Sequence, residues 1–434
     1  MSKRPVAKAF AISLGGFVFG YDLGALSCAT QGLRSHFHLS PAVFGVTISF
    51  SIWGTVCGAL LAGRWADRVG RQSLIAGCAT IYALGAIGVT LPVPSEWAFI
   101  LAMRFMCGMA IGGFTVGCPL YLAEIAPIEL RGRLVSLFQV EVGAGVVVAF
   151  AAGALFARFD AQGAAWRWSL GMGAVPAMVL LILVLSMSER KPGLAEKTSS
   201  KARSDSPISS EIRNSSDHQR LFCRKNKRLI LLATSIAVFN QLSGVNIVLL
   251  YMLDILSSAG IGLDMGHRFT VMISCLSLIT TVLGMAYVDK AGRKPLLYIG
   301  SAGMAICLLC LAVAIPCHFG PLLYLSILVA YNAFFAFSQG TVVWVYLSEL
   351  FPPGIRGAGQ GYGASVHWIA NATLVLAVPV MLHASYAGVF YLFALMMALQ
   401  MGVIWRWYPE TRGTTLGSLA MAEAHNGTDS TPVP

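Results

Sequence analysis

Tyr121-x-x-Glu124-x-x-Pro127-x-x-x-Arg131-Gly132 recurs in this chain as Tyr346-x-x-Glu349-x-x-Pro352-x-x-x-Arg356-Gly357, with every interval preserved. A shorter element does the same: Asp67-Arg68-x-Gly70-Arg71 returns as Asp289-Lys290-x-Gly292-Arg293. Both pairs fall between long apolar blocks, at matching places in the two halves of the chain. Repetition of this kind marks a duplicated unit. What the unit is follows from the blocks around the motifs.

Those blocks are long enough to cross a bilayer, which takes about 20 apolar residues in helical form. A helix closes its own backbone hydrogen bonds, so lipid tolerates it. Twelve spans are expected, near 8–30, 43–63, 73–93, 97–121, 133–157, 166–187, 228–256, 268–288, 295–316, 321–347, 358–383 and 385–407. The longer motif then follows spans 4 and 10, and the shorter one spans 2 and 8. Composition agrees: the 434 residues are 56% hydrophobic and 11% charged, whereas a soluble chain is about a quarter charged. The expected fold is an all-α membrane protein with twelve transmembrane helices in two pseudo-symmetric six-helix bundles. The bundles occupy 1–188 and 228–415. Between them 189–227 reads as a cytoplasmic linker rich in Ser, Lys and Arg, and 416–434 as a disordered cytoplasmic tail. Duplicated six-helix halves with a midplane site between them are a transporter design.

The net charge of +11 could suggest nucleic acid. Its placement excludes that partner. Arg34, Arg158, Arg167 and Arg268 stand on one side of the spans, and nearly all other Lys and Arg on the side of the N-terminus. Positive loops stay in the cytoplasm, so both termini are expected there. The basic stretch Arg224 to Arg228 also suits anionic lipid. Lys3, Arg4 and Lys8 before an apolar run resemble a signal peptide, but no cleavage site follows, and the run reads as an uncleaved first helix. The Cys are scattered, and even Cys307 and Cys310 read as packing residues of an apolar helix rather than a metal site. Gly357, Gly359, Gly361 and Gly363 alternate without a preceding strand, so close helix packing explains them better than a nucleotide loop. Gly54/Gly58 and Gly108/Gly112 read likewise. There is no nucleophile triad and no phosphate loop, so neither an enzyme nor a cofactor is expected.

A charge at mid-membrane is costly and by default functional. Asp22 lies about 21 Å into span 1 at ~1.5 Å per residue, and Arg104 on span 4 lies about 20 Å from the same face of a core ~30 Å thick. A carboxylate and a guanidinium at one depth can neutralise each other. They can also form a proton switch, because a buried carboxyl's hold on its proton depends on the cation beside it. A static pair holding the bundle together is the plainer account. Glu141 is a second buried acid. It sits two positions from Gln139 and so faces nearly the opposite way. It either joins Asp22 and Arg104 or is a protonated packing residue.

The spans also carry Gln139, Asn240, Gln241, Asn246, Trp344, His367, Trp368 and Asn371. Neutral hydrogen-bonding groups with an aromatic face suit a sugar. Each amide taken singly is also a reasonable link between helices. Gln241 and Asn246 would point about 140° apart on an unbroken helix. Gly244 between them therefore predicts a break in span 7, of the kind carriers use at binding sites.

Several of these stretches resemble a known family. Gly63-Arg64-Trp65-Ala66-Asp67-Arg68-Val69-Gly70-Arg71 looks like the loop 2–3 signature of the major facilitator superfamily. The Glu-x-x-Pro-x-x-x-Arg-Gly elements, Trp166-Arg167-Trp168, Gln241-x-x-Gly244-x-Asn246 and Pro409-Glu410-Thr411-Arg412-Gly413 resemble its sugar porters, over nearly the whole chain. The likeness is to the bacterial proton-coupled pentose and hexose symporters in particular. There are departures: Met187-Ser188-Glu189-Arg190 after span 6, Asn240-Gln241 for a paired Gln, and Leu250-Tyr251 for a paired Tyr. Gly340-Thr341-Val342-Val343-Trp344 in span 10 lacks the usual prolines, and His367 stands at an amide position.

The resemblance implies a secondary active transporter that imports a neutral monosaccharide with protons, as a monomer in a bacterial inner membrane. It places Gln139, Gln241, Asn246 and Trp344 at sugar contacts, with Phe19 beside them. It associates an Asp at position 22 with proton symport. The gate is expected among Asp67, Arg71, Glu124, Arg131, Asp289, Arg293, Glu349 and Arg356. Glu124 and Glu349 could bridge to Arg71 and Arg293 of the other half, or stabilise their own half. A uniporter, a polyol or inositol symporter, and a sugar sensor are the alternatives.

Overall fold

A computed structural model describes residues 3–93, 96–125, 131–159, 163–187, 221–317, 319–352 and 355–411. Among these, twelve helices are long and apolar enough to cross a membrane: Lys8–His36, Pro41–Ala62, Arg71–Thr90, Glu96–Leu122, Leu134–Arg158, Ala165–Ser186, Lys227–Leu250, Leu263–Val288, Arg293–Cys317, Pro321–Leu347, Ala358–Ala384 and Tyr386–Trp407. Each overlies its expected position, and no strand occurs among the described residues. They are numbered spans 1 to 12. Most of the expected linker and the whole expected tail lie outside the described residues. The end of that linker belongs with the second half, because Leu221 is buried in its core and a short turn at Arg224–Asn226 leads into span 7.

Local chemistry sets the helix ends. Pro41 opens span 2 beneath an N-cap in which Ser40 accepts from the Val43 amide, and Ser385 caps span 12 through Gly388. The duplication also shows in the backbone. Gly70 ends the span 2 helix at φ 88°, ψ 155°, and Gly292 ends the span 8 helix at φ 92°, ψ 163°. A side chain at either position would be strained, and each turn delivers an Arg to start the next helix.

Lipid tails are as apolar as the helices, so close packing rather than hydrophobicity draws helices together. Spans 2 and 4 achieve it with glycine. A Cβ on Gly108 would stand 1.7 Å from the Ser51 carbonyl oxygen, and one on Gly58 would stand 2.0 Å from that of Met109. The outer surface is apolar, with Leu60, Ile182, Leu322 and Trp405 exposed toward lipid.

Three hydrophobic cores fill the interior. One belongs to the first half alone and includes Ile75, Phe114 and Leu180. Another belongs to the second half alone and includes Leu297, Tyr346 and Phe351. Both lie toward the terminal face, where span 1 begins and span 12 ends. The third joins the halves toward the opposite face, bringing Phe44 and Ile48 together with Tyr251, Ile255 and Val375. Polar contacts reinforce that junction. Ser27 Oγ donates to the Leu249 carbonyl at 2.7 Å, and Gln31 Nε2 donates to Asp254 Oδ1 at 2.8 Å. The structure is thus sealed between the halves on the face away from the termini.

The Gly108 contact is tight enough to test. Gly108→Val should force spans 2 and 4 apart, at a cost of about 1–3 kcal/mol for overpacking. A lowered thermal unfolding midpoint in detergent is expected, and an unchanged one would contradict the packing.

Candidate functional site

Span 1 carries the first element. Asp22 points away from the midline toward spans 3 and 4, where Arg104 meets it end to end: Nη1 donates to Oδ1 at 2.6 Å and Nη2 to Oδ2 at 2.8 Å. Tyr82 Oη donates to Asp22 Oδ1 at 2.9 Å, and Arg104 Nη2 also reaches Ser51 Oγ at 3.2 Å. Both charged residues are 4% exposed. A two-pronged pair of this kind is the strong form of ion pair, and here its partners come from spans 1, 2, 3 and 4. Glu141 is buried but forms no hydrogen bond or ion pair with Asp22 or Arg104.

Three residues before Asp22 and one after it along span 1, the helix turns to a cavity between the halves. Phe19 and Leu23 line it. Gln139 lines it from span 5, and Asn240, Gln241, Asn246, Trp344, His367 and Trp368 from the second half. Of the residues expected at a binding site, only Asn371 lies outside the lining. It is buried one helical turn beyond His367, with its carbonyl oxygen unpartnered among the described residues.

Span 7 brings its amides to one place by breaking. The helix Lys227–Leu242 stops, Gly244 takes φ 81° in the left-handed region, and a new helix runs from Val245 to Leu250. The ring of Phe393 would stand 2.5 Å from any Cβ at Gly244, so a larger residue is excluded on two counts. Across the break Asn246 Nδ2 donates to Gln241 Oε1 at 2.7 Å. Gln241 Nε2 lies 2.8 Å from His367 Nε2, so the imidazole accepts there. The His367 ring sits 4.9 Å from that of Trp344, and Phe19 stands edge-on to Trp368 at 5.5 Å across the two halves. Trp368 Nε1 is buried without a partner among the described residues.

Sequence reasoning missed part of the lining. Gln339 and Asn332 of span 10, with Ser274, Ser277 and Thr281 of span 8, also face the cavity. Span 10 breaks at Ser338, where φ is −115° and ψ −86°, and this turns Gln339 inward. An amide next to Gly340 was the available signal. The hydroxyls carried none, since Ser274 and Thr281 bond to carbonyls of their own helix as countless others do.

At the terminal face Glu349 takes the second of its two expected roles and stabilises its own half. Arg293 donates to Glu349 from Nη2 at 2.8 Å and from Nε at 3.1 Å, within the second half. Glu410 accepts the backbone amides of Arg293 and Lys294 at 2.9 and 3.0 Å, capping span 9, and Thr411 donates to Glu349 at 2.6 Å. The reason is spatial: the halves have separate cores at this face, so an acid at the end of span 10 finds its nearest cation at the start of span 9. Arg71 begins span 3 in the equivalent place. The side chains of Asp67, Glu124, Arg131, Asp289 and Arg356 lie outside the described residues. On the opposite face Glu96 pairs with Arg167 and lies 3.2 Å from His36.

A polar cavity at the midline of two duplicated six-helix bundles, beside a buried ion pair, defines a major facilitator carrier. The chain matches the family described as sugar (and other) transporter over residues 8–421, and it belongs to that family. It is 32% identical over 424 residues to the glucose transporter GlcP of Staphylococcus epidermidis, covering 93% of this chain and 94% of that one. It is 28% identical to the D-xylose-proton symporter of Escherichia coli, with 94% and 93% covered. Among solved structures, the proton:xylose symporter XylE bound to 6-bromo-6-deoxy-D-glucose superposes with a TM-score of 0.81 at 26% identity, covering 97% of this chain and 99% of that one. The inward-open form of XylE from E. coli gives the same TM-score, 0.81, over 96% and 99%.

Removing one partner of a buried pair leaves a charge unpaired and costs about 3–5 kcal/mol. Arg104→Met should therefore lower the unfolding midpoint far more than Tyr82→Phe, which removes one hydrogen bond worth ~1 kcal/mol. Adding Asp22→Leu to Arg104→Met should recover much of the loss. Thermal unfolding of the three variants checks this.

Proposed function

We infer that this protein is a secondary active transporter that imports a neutral monosaccharide by proton symport through alternating access. The observation that carries this reading is the placing of Asp22 on the back of the helix whose Phe19 and Leu23 line the cavity. A movement of span 1 relative to span 4 on substrate binding shifts Asp22 against Arg104. A carboxylate drawn away from its guanidinium in a water-poor site holds a proton more readily. Binding and protonation are then linked through one helix. Glu141 is assigned no partner in that step and acts as a packing residue.

The cavity chemistry supports a sugar. It offers amide donors and acceptors and aromatic faces, with no charged side chain in its lining among the described residues. A neutral polyhydroxylated solute suits that set, whereas an ion or an amino acid would lack a counter-charge. The relatives named as glucose and D-xylose transporters point the same way.

The concentration of Lys and Arg on the terminal face supports a cytoplasmic location for both termini. With that orientation the seal at Ser27, Gln31 and Phe44 is the outer gate in its closed state, and the conformation faces inward. The inner gate then closes when the two terminal-face cores meet, with Asp67, Arg71, Glu124, Arg131, Asp289, Arg293, Glu349 and Arg356 at the junction. Arg293 and Glu349 would hold the shape of their half while it moves. Both halves that line the cavity belong to one chain, so a monomer in the bacterial cell membrane suffices.

Proteoliposome uptake of labelled D-glucose and D-xylose, with and without an inward proton gradient, tests the reading. In Asp22→Asn, accumulation against a gradient should vanish while exchange of sugar across the membrane survives; undiminished accumulation would sink proton coupling through Asp22. In Gln241→Ala, loss of a buried amide contact worth about 1–3 kcal/mol should weaken sugar binding by about 5- to 150-fold. Binding as tight as the parent's, measured by calorimetry, would remove Gln241 from the site.

A further inference from the structure

The amides around the cavity are not independent of one another. Asn246 Nδ2 donates to Gln241 Oε1 at 2.7 Å, and Gln241 Nε2 to Asn240 Oδ1 at 3.4 Å. Asn240 Nδ2 donates to Gln339 Oε1 at 3.3 Å, and Gln339 Nε2 to Gln400 Oε1 at 2.6 Å. All four bonds point the same way. The relay starts on span 7 at the cavity, passes through span 10, and ends on span 12 at Gln400, which is fully buried and outside the lining.

A side-chain amide has one accepting end and one donating end. Turning over Gln241, Asn240 or Gln339 alone would oppose two N–H groups on one side of it and two carbonyls on the other. The members therefore hold one another's orientation, and Ser301 contacts the far end. Ser301 Oγ donates to the Leu297 carbonyl at 2.8 Å and reaches Gln400 Oε1 at 3.1 Å, while Gln339 Nε2 approaches Ser301 Oγ at 3.4 Å. Ser301 has one hydrogen and accepts the Gln339 N–H₂ at its oxygen, in keeping with the direction of the relay. Gln400 Nε2 has no partner among the described residues. A Met or Leu would fit a helix interface without that unpaired group. What Gln400 supplies, and they would not, is the carbonyl oxygen that ends the relay. At the other end, the carbonyl oxygen of Asn246 is left facing the cavity as an acceptor.

We propose that Gln339 and Gln400 are positioning residues that set the hydrogen-bond polarity of the sugar site, so that the bound sugar must donate a hydroxyl to Asn246 Oδ1. This rests on the reading of the cavity as a sugar site. Selection among sugars then depends partly on a residue of span 12 that never touches them. A plain interhelical link would stabilise the protein equally well but would leave the donor and acceptor pattern of the site untouched.

Fluorine in place of a hydroxyl cannot donate, which gives a direct readout. D-glucose and D-xylose are measured by calorimetry against the parent together with their monodeoxy and deoxyfluoro derivatives. At the hydroxyl facing Asn246 the fluoro compound should bind about as poorly as the deoxy compound, roughly 3- to 10-fold below the sugar, as for one lost hydrogen bond. In Gln400→Met the amides are released to turn over, and the fluoro penalty at that position should fall to about twofold or less. Gln400→Glu keeps the accepting oxygens and should restore the parent pattern. A fluoro penalty in Gln400→Met that stays at the parent value overturns the proposal. A second measurement needs no sugar: thermal unfolding of Gln400→Met, Asn240→Ala and the double variant. Separate sites add, so members of one relay should not, and additive midpoints also overturn the proposal. Failure of both sugars to bind the parent would overturn instead the sugar reading, and the unfolding cycle would still decide whether the relay exists.

Discussion

Asp22 and Arg104 meet where water cannot reach either of them, and much of the first half is arranged around that fact. In hydrocarbon an isolated charge is costly enough that each residue requires the other. The pair draws spans 1 and 4 together, and Tyr82 and Ser51 from spans 3 and 2 satisfy the remaining groups. The exposed pair of Arg268 and Asp264, more than half exposed on both sides, carries no comparable weight. The same isolation makes the pair responsive. With no solvent to screen it, a small displacement of span 1 changes the charge balance at Asp22 by much more than it would at a surface. The glycine contacts between spans 2 and 4 give this quartet a tight backing.

The two halves share an origin and have divided the work. Their turns at Gly70 and Gly292 retain nearly identical backbone angles. Yet the first half holds the buried ion pair, while the second supplies most of the polar lining. The second half also departs more from regular helix, breaking span 7 at Gly244 and span 10 at Ser338. Irregular backbone inside a membrane persists only where it lines a cavity or is covered by protein. Both breaks do, and both turn amides inward.

Contact between the halves is lopsided. One core crosses between them away from the termini, and two separate cores lie at the terminal face. The second half keeps its own packing at that face through Arg293, Glu349, Glu410 and Thr411, which suits movement as a body. Rocking of one rigid bundle against the other needs this combination of firm interiors and a changeable seam.

The sequence by itself determined the twelve spans, the duplication and the family, because these rest on long apolar runs and on intervals that survive in the linear order. It also determined that Asp22 and Arg104 lie at one depth, since rise per residue converts position into height, and that span 7 must break at Gly244, since two amides five residues apart cannot otherwise face one site. What linear order cannot carry is rotation about each helix axis and distance across the bundle. Only the tertiary structure decided that Asn371 turns from the cavity while Gln339 turns into it, and that Glu349 pairs with Arg293 of its own half. It alone joined Gln400 on span 12 to Asn240 on span 7. Those outcomes depend on which faces neighbouring helices present, and a break such as that at Ser338 resets the rotation of everything beyond it.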